Sequence, residues 1–275
     1  MENKIVVRYG NYLNSLEFKG FTASDFDFLM FLCAVMKDKD EDITTISISK
    51  IKKVVKYDKH VTTEDFSKLL ESMNDKLMRI RAKVKNGSRT IQFVLFPTFI
   101  TDTKTGYLTV RVNTDFKYLL SELTKNFTRF ELKEFIELNS KYAKTLYRLL
   151  KQFKATGEYF VKVEELKGLL DCPESCNDNR YFAIKILVPA VKELEKHFKN
   201  LKYETVKAPK RGQPIIGYRF TFTPEANTHE ADTASADRQD QGQTKKKRGR
   251  PRKTQFDNFA QRDYNFEELE KILLS

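Results

Sequence analysis

The stretch SKYAKTLYRLLKQFKATGEYFVKVEELKGLLD, residues 140–171, decides the fold, because it places a helix, a short strand and a second helix in succession. The turn CPESCND leads from there into a long helix predicted from about Asn179 to Phe198. Two strands, LKYETV (201–206) and IGYRFTF (216–222), then flank a cationic loop. This order is that of a winged helix, which places one helix in a DNA groove and lays a hairpin on the flanking backbone.

The first helix of this unit has one apolar face and one face that carries only basic residues. At 3.6 residues per turn, four cations fall opposite the apolar side chains with no acid among them: Lys141, Lys144, Arg148 and Lys151. We predict that this stripe contacts DNA phosphates, against the alternative of an ordinary solvated face. The loop KAPKRGQP (207–214) predicts further phosphate contacts at its tip, from Lys207, Lys210 and Arg211.

The long helix supplies the residues that would face a groove. Its apolar spacing predicts a buried seam of Ala183, Ile184, Leu187, Val191 and Leu194, with Tyr181, Lys185, Lys192 and Lys196 pointing away. Pro189 lacks the backbone N–H that would bond to the carbonyl of Lys185, so a kink is expected near Lys185.

Residues 1–126 show a longer version of the same pattern. The apolar segment 21–36 predicts a helix capped by Thr22 or Ser24, and Thr62 with Asp65 has capping-box spacing. Further predicted elements are a helix SKIKKVVKY capped by Ser47 or Ser49, strand pairs at 77–84 with 89–96 and at 98–102 with 107–112, and a helix from Asn113 or Thr114 to about Leu123. Helices followed by hairpins predict a second winged helix.

The C-terminal part differs from the rest in composition. Residues 225–255 contain no aliphatic residue larger than alanine, no aromatic residue, no Met and no Cys, so they cannot bury enough apolar surface to offset their ordering entropy. We predict a disordered linker there, and a short docking helix over 256–275 that folds on a partner. The predicted fold class is α+β, with two tandem winged-helix domains, 1–126 and 127–224, and a disordered C-terminal tail.

The segment KKKRGRPRK (245–253) resembles an AT-hook, an extended peptide that lies in the narrow minor groove of A·T tracts. The residues that would enter the groove are Arg248, Gly249, Arg250, Pro251 and Arg252. A generic basic run, or a nuclear-localisation look-alike, is the alternative interpretation.

The net charge of +12 lies entirely in residues 1–224, because residues 225–275 carry ten basic and ten acidic side chains. Such an excess attracts an anionic partner, and the lack of a basic amphipathic anchor favours nucleic acid over a membrane. The sequence has no apolar run of membrane-spanning length and no start typical of a signal peptide. Three cysteines argue against a disulfide framework, so we expect a cytoplasmic protein.

The usual sequence signatures of catalysis are missing. None of the ten glycines precedes a lysine, so there is no Walker A loop. The three histidines are far apart, and Cys172 and Cys176 lack a second ligand pair, which argues against a metal site. The acidic residues form no cluster suited to two-metal nuclease chemistry. We therefore expect a binding protein, not an enzyme, with no metal or cofactor.

Four blocks of the sequence resemble iteron-binding plasmid replication initiators of the Rep_3 superfamily, in particular the versions on Gram-positive plasmids. They are FTRFELKEFIELNSKYAKTLYRLLKQFKATG (127–157), VEELKGLLD (163–171), FAIKILVPAVKELE (182–195) and IGYRFTF (216–222). The order and spacing of these blocks are those of the family. The resemblance covers about residues 5–224.

The resemblance implies that the N-terminal winged helix dimerises and contacts one end of a DNA repeat, whereas the C-terminal one reads the origin repeats (iterons). It places the start of the recognition helix at Asn179, with Lys185 as the base-reading residue and Asn179, Arg180 and Tyr181 beside it. It also implies monomers at the origin and dimers on an operator of the chain's own gene. The expected partners are double-stranded DNA of the plasmid origin repeats and operator, a second copy of the chain, and host replication proteins such as a helicase or its loader.

Two other functions remain open from the sequence. A transcriptional repressor with two winged helices would use the same contacts. Tandem repeats beside an AT-rich segment near the gene would distinguish an initiator from it. A replisome-recruiting scaffold that acts through its C-terminal helix predicts that residues 1–224 have no sequence-specific DNA binding.

Overall fold

The structure is a computed structural model that describes residues 4–36, 42–55, 62–86, 89–114 and 127–225. The chain divides into two units, Met1–Glu225 and Ala226–Ser275, and all described residues belong to the first. The predicted linker beyond Glu225, the AT-hook segment and the docking helix therefore lie outside the described residues. The same holds for most of the helix predicted after Asn113, since residues 115–126 are not described.

The N-terminal half has the elements of a winged helix with one inserted hairpin. In chain order they are β1 (Val6–Gly10), the 3-10 helix η1 (Asn11–Ser15), α1 (Ala23–Met36), β2 (Ile43–Ser47), α2 (Ile48–Val54), α3 (Thr63–Met78), β3 (Arg81–Asn86), β4 (Arg89–Val94), β5 (Thr98–Asp102) and β6 (Tyr107–Arg111). β2, β6 and β5 form a three-stranded antiparallel sheet in that order, and β3 and β4 form a two-stranded antiparallel sheet.

The C-terminal half repeats this order without the insertion. Its elements are β7 (Phe127–Glu131), α4 (Leu132–Ile136), α5 (Lys141–Gln152), β8 (Glu158–Lys162), α6 (Val163–Leu169), the 3-10 helix η2 (Glu174–Asn177), α7 (Asn179–Phe182), a π-helical turn (Ala183–Leu187), α8 (Val188–Leu194), β9 (Lys202–Lys207) and β10 (Ile215–Thr221). The sheet order β8-β10-β9 matches β2-β6-β5. The prediction of two winged helices is therefore confirmed.

The two halves meet through equivalent elements. β1 and β7, the opening strand of each half, pair antiparallel with Arg8 opposite Arg129 in the middle. The helices that follow, α1 and α5, are joined by an ion pair between Asp27 and Lys144. This arrangement is the one that an internal two-fold axis produces. Because the β1–β7 sheet joins the halves, the domain boundary at 126/127 stays a prediction.

Local capping rules account for two of the helix starts. The Thr22 hydroxyl accepts a hydrogen bond from the N–H of Asp25, whose carboxylate accepts one in return from the N–H of Thr22. At α3 the Thr62 hydroxyl likewise accepts from the N–H of Asp65. The first strand of the predicted 77–84 pair begins later than expected, because α3 continues to Met78 and buries Leu77 in the core.

Candidate nucleic-acid interface

The helix predicted to enter a groove begins at Asn179, as expected from the sequence, and Asp178 caps it. One carboxylate oxygen of Asp178 accepts hydrogen bonds from the backbone N–H groups of Arg180 (2.6 Å) and Tyr181 (3.1 Å). These two backbone donors hold the pKa of Asp178 below its usual value. A carboxylate at this end also interacts favourably with the helix dipole, so the first turn is well fixed.

A π-helical turn interrupts this helix where the sequence predicts a kink. The N–H of Val188 donates to the carbonyl of Ala183, five residues back, in place of the usual four. Pro189 has no N–H to donate to Lys185, which frees the preceding turn to widen. We call residues 179–194, comprising α7, the π turn and α8, the recognition helix.

The wider turn changes which apolar side chains face the core. The buried residues of the recognition helix are Phe182, Ile186, Leu187, Ala190, Val191 and Leu194. Ile184 is 53% exposed and Ala183 only half-buried, so the predicted seam is wrong at its N-terminal end. The predicted seam assumes 3.6 residues per turn along the whole helix. The π turn has more residues per turn, so the side chains before it face a different direction.

Three of the four predicted base-reading residues lie on the solvent face of the recognition helix. Arg180, Tyr181 and Lys185 are exposed. Asn179 is half-buried, and its amide oxygen accepts a hydrogen bond from Lys167 Nζ at 2.8 Å. Lys167 also donates to the carbonyl of Asn177. The amide oxygen of Asn179 therefore fixes the turn before the helix.

The structure does not support phosphate contacts by the middle of the cationic stripe on α5. Lys144 and Arg148 are completely buried. Lys144 Nζ lies 2.5 Å from Asp27 Oδ1 and donates to the carbonyl of Phe135 at 2.8 Å. The Arg148 guanidinium lies over the ring of Phe18, 4.6 Å from its centroid. For Lys144 and Arg148 the predicted phosphate contact is wrong.

The two ends of the stripe are also occupied by protein partners. Lys151 is 6% exposed and its Nζ lies 2.6 Å from Glu225 Oε1, which likewise excludes the predicted phosphate contact. Lys141 is less buried and pairs with Asp171 at 2.9 Å. The acids that pair with the three lysines of the stripe come from α1, from the turn after α6 and from Glu225. They are remote in sequence, so a helical wheel of α5 alone shows only cations.

The hairpin between β9 and β10 presents the predicted cationic tip. Lys207, Lys210 and Arg211 are exposed, and hydrogen bonds from Ala208 N–H to Pro214 and from Gln213 N–H to Lys210 close the loop. We call this loop, residues 207–214, the wing.

The base of the wing depends on a glycine in β10. A Cβ at Gly217 would lie 2.6 Å from the ring of Phe160 on β8 and from the carbonyl oxygen of Val161. A register shift between Ile215 and Gly217 accompanies this close approach. Gly217 therefore lets the wing strand pack directly on β8.

The equivalent helix of the N-terminal half has the opposite charge. The exposed side of α3 carries four acids and one lysine, namely Glu64, Asp65, Glu71, Asp75 and Lys68. The exposed side of the recognition helix carries Arg180, Lys185 and Lys192. A polyanionic groove attracts the second helix and repels the first, so the two halves are not interchangeable as groove readers. A count of charge over residues 1–126, which is positive overall, conceals this difference.

Within the described ranges, no three His, Cys, Asp or Glu side chains come together in a way that could hold a metal ion. Cys33, Cys172 and Cys176 are free thiols. A search of the same ranges finds no helix with the length and hydropathy needed to cross a bilayer.

Two tandem winged helices, one with a capped cationic helix and a cationic wing, define a winged-helix protein of the DNA-binding class. Residues 6–151 match the family "Initiator Replication protein, WH1" and residues 162–222 match "Initiator Rep protein, WH2". The chain belongs to this family of replication initiators, which confirms the resemblance seen in the sequence. Residues 245–257 match the "AT hook motif", as predicted for KKKRGRPRK.

Two known proteins show how far the similarity extends. A "Probable replication protein rep" of Bifidobacterium longum (strain NCC 2705) is 31% identical over 225 residues, which cover 82% of this chain and 74% of that protein. The fold is similar to that of the Pi initiator protein, solved in complex with iteron DNA, with a TM-score of 0.61 and 18% identity. The match covers 82% of this chain and 99% of the solved one.

Proposed function

We propose that this chain initiates replication of a plasmid by binding the direct repeats of its origin, promoting the opening of adjoining AT-rich DNA and repressing its own gene. The observation that carries the proposal is the pairing of an exposed cationic face on a capped helix with an exposed cationic wing in the C-terminal half. Family membership supports the initiator role, and the Pi initiator, which shares the fold, was solved on iteron DNA.

The proposal assigns separate tasks to the helix and the wing. Lys185, with Arg180 and Tyr181 one turn earlier, would contact base edges in the major groove, where a lysine suits O6 and N7 of guanine. The wing residues Lys207, Lys210 and Arg211 would contact phosphates and fix the register of the helix in the groove. The amino group of Asn179 would add a donor at the start of the helix.

The N-terminal half would have a different task, because its α3 exposes acids. We assign to it self-association and a contact with one end of the repeat through surfaces other than α3. The functional forms would then be a monomer at the origin and a dimer at an operator. Segment 256–275 would recruit a host helicase or its loader, and the site of action would be the cytoplasm.

The AT-hook segment would hold A·T-rich DNA beside the repeats. Deletion of residues 245–253 is expected to weaken binding to an A·T tract and to reduce opening of the origin, because seven basic side chains and the minor-groove peptide are lost together. The measurement is permanganate reactivity of thymines in the AT-rich segment, together with affinity for an A·T duplex.

A matched control is deletion of residues 226–234, which removes nine residues from the same region but no basic side chain apart from His229. It is expected to leave both readouts unchanged. Equal permanganate reactivity for the full chain and the 245–253 deletion would rule out a role of the AT-hook in opening.

A replication assay separates an initiator from a repressor. A plasmid that carries only the DNA flanking the gene, and no other origin, is expected to replicate when the full chain is supplied from a second plasmid. If the chain occupies that DNA and represses transcription but no replication follows, the repressor interpretation replaces the proposal.

A further inference from the structure

The exposed side of the recognition helix is not uniformly polar. Ile184 is 53% exposed, Val188 47% and Tyr181 43%, although each lies in an otherwise well-packed half of the molecule. The sequence pattern places Ile184 in the core, and the π turn rotates it outward. Single exposed apolar residues are common on protein surfaces, so the arrangement of these residues is what matters.

The two aliphatic residues lie among exposed cations. The exposed side chains of the recognition helix include Arg180, Tyr181, Ile184, Lys185, Val188 and Lys192, so Ile184 and Val188 lie between cations. A helix in the major groove faces base edges over its N-terminal turns, while its flanks lie near the two phosphate backbones. Ile184 and Val188 lie beside Lys185 and one to two turns after Arg180, so a groove that meets those cations would also meet the aliphatic pair.

We propose that Ile184 and Val188 are specificity-determining residues that contact the C5-methyl groups of thymines in the DNA repeat. The thymine methyl is the apolar group that the major groove presents, and an aliphatic side chain that meets it removes apolar surface of both partners from water. This inference rests on the proposed function and deepens it, since it names thymines as neighbours of the base read by Lys185.

The charge around the aliphatic pair favours DNA over a second copy of this surface. Arg180, Lys185 and Lys192 surround Ile184 and Val188, and a symmetric contact would bring these cations against their own copies. DNA, as a polyanion, would neutralise the same cations. We therefore infer that this surface contacts DNA, and self-association through it is the alternative that the experiment tests.

Exchange of thymine for uracil tests the contact directly, because uracil keeps every hydrogen-bonding group and loses only the methyl. The probe is a duplex of the sequence that the full chain protects beside its own gene, made with thymine or with deoxyuracil at each T. The full chain is expected to bind the uracil duplex about fourfold more weakly for each methyl it contacts, the factor for one buried methylene.

Substitution of the two residues should remove this preference. Ile184→Ser combined with Val188→Ser, which replaces both aliphatic groups by hydroxyls, is expected to bring the thymine-to-uracil affinity ratio close to one, and Val188→Ser alone to reduce it. Ile100→Ala is the matched control, since Ile100 is 57% exposed on β5 of the other half. It should leave the ratio at the wild-type value.

Two results would overturn the inference while the proposed function stands. One is tight, specific binding by the full chain with equal affinity for the thymine and uracil duplexes. The other is that the double variant still binds the thymine duplex more tightly than the uracil duplex. If that variant also loses self-association in sedimentation experiments, the two residues contact a second copy of the chain and not DNA. If the full chain protects no sequence beside its gene, the proposed function itself fails, and the inference falls with it.

Discussion

Replacement of Lys144 by methionine is expected to lower the free energy of unfolding by about 3–5 kcal/mol, the usual cost of leaving one member of a buried ion pair without its partner. The ammonium of Lys144 is fully buried and lies 2.5 Å from the carboxylate of Asp27, which is itself 8% exposed. Methionine fills a similar volume, so the loss would come from the charge left on Asp27 and not from a cavity.

The same helix supplies a matched control. Lys141 pairs with Asp171, but the two side chains are 26% and 29% exposed, so water screens the interaction. Lys141→Met is expected to cost about 0–1 kcal/mol. Urea unfolding measures both variants on one scale.

A third variant separates charge from packing. Lys144→Met combined with Asp27→Leu removes both charges, and it should recover most of the stability lost in the single variant, because an apolar pair can replace a buried ion pair at little cost. If Lys144→Met costs no more than Lys141→Met, the ion pair does not join α1 and α5 as described.

Lys185→Ala is expected to weaken binding to the origin repeat by about 5- to 150-fold, corresponding to about 1–3 kcal/mol for one base contact, and to change binding to random duplex much less. This expectation rests on the exposed position of Lys185 on the recognition helix. Fluorescence anisotropy with repeat and shuffled duplexes over a series of salt concentrations is the measurement.

The wing is expected to behave differently in the same assay. Lys210→Ala should weaken both duplexes by a similar factor and reduce the slope of log affinity against log salt by about 0.9, the value for one phosphate contact. Lys68→Ala, on the acidic exposed side of α3, is the control that should change neither duplex. Equal losses on repeat and shuffled duplexes for Lys185→Ala would remove it from the base-reading residues.

Signals that lie within a few residues were sufficient to predict much of the fold. Thr22 and Thr62 cap helices through partners three residues away, and Pro189 disturbs the helix one turn before it. The winged-helix order follows from such local signals, because each helix, strand and turn can be recognised separately.

Long-range pairing explains where prediction failed. The basic stripe on α5 resembles a phosphate-binding face until Asp27, more than a hundred residues away, is placed against Lys144. The periodicity of a regular α-helix likewise puts Ile184 in the core, and only the π turn brings it to the surface. Both errors concern the site more than the fold, since the site depends on which side of a correctly predicted helix meets solvent.

The affinity of the full chain for the DNA beside its own gene, measured against a shuffled duplex of equal length and composition at physiological salt, tests the account most directly. Sequence-specific DNA-binding proteins favour their sites by at least roughly 10³-fold, and a ratio of that order is the predicted result, with the cationic face of the recognition helix and the wing as its source. A ratio near one would contradict the account, because it would leave only the non-specific attraction of a chain with a net charge of +12.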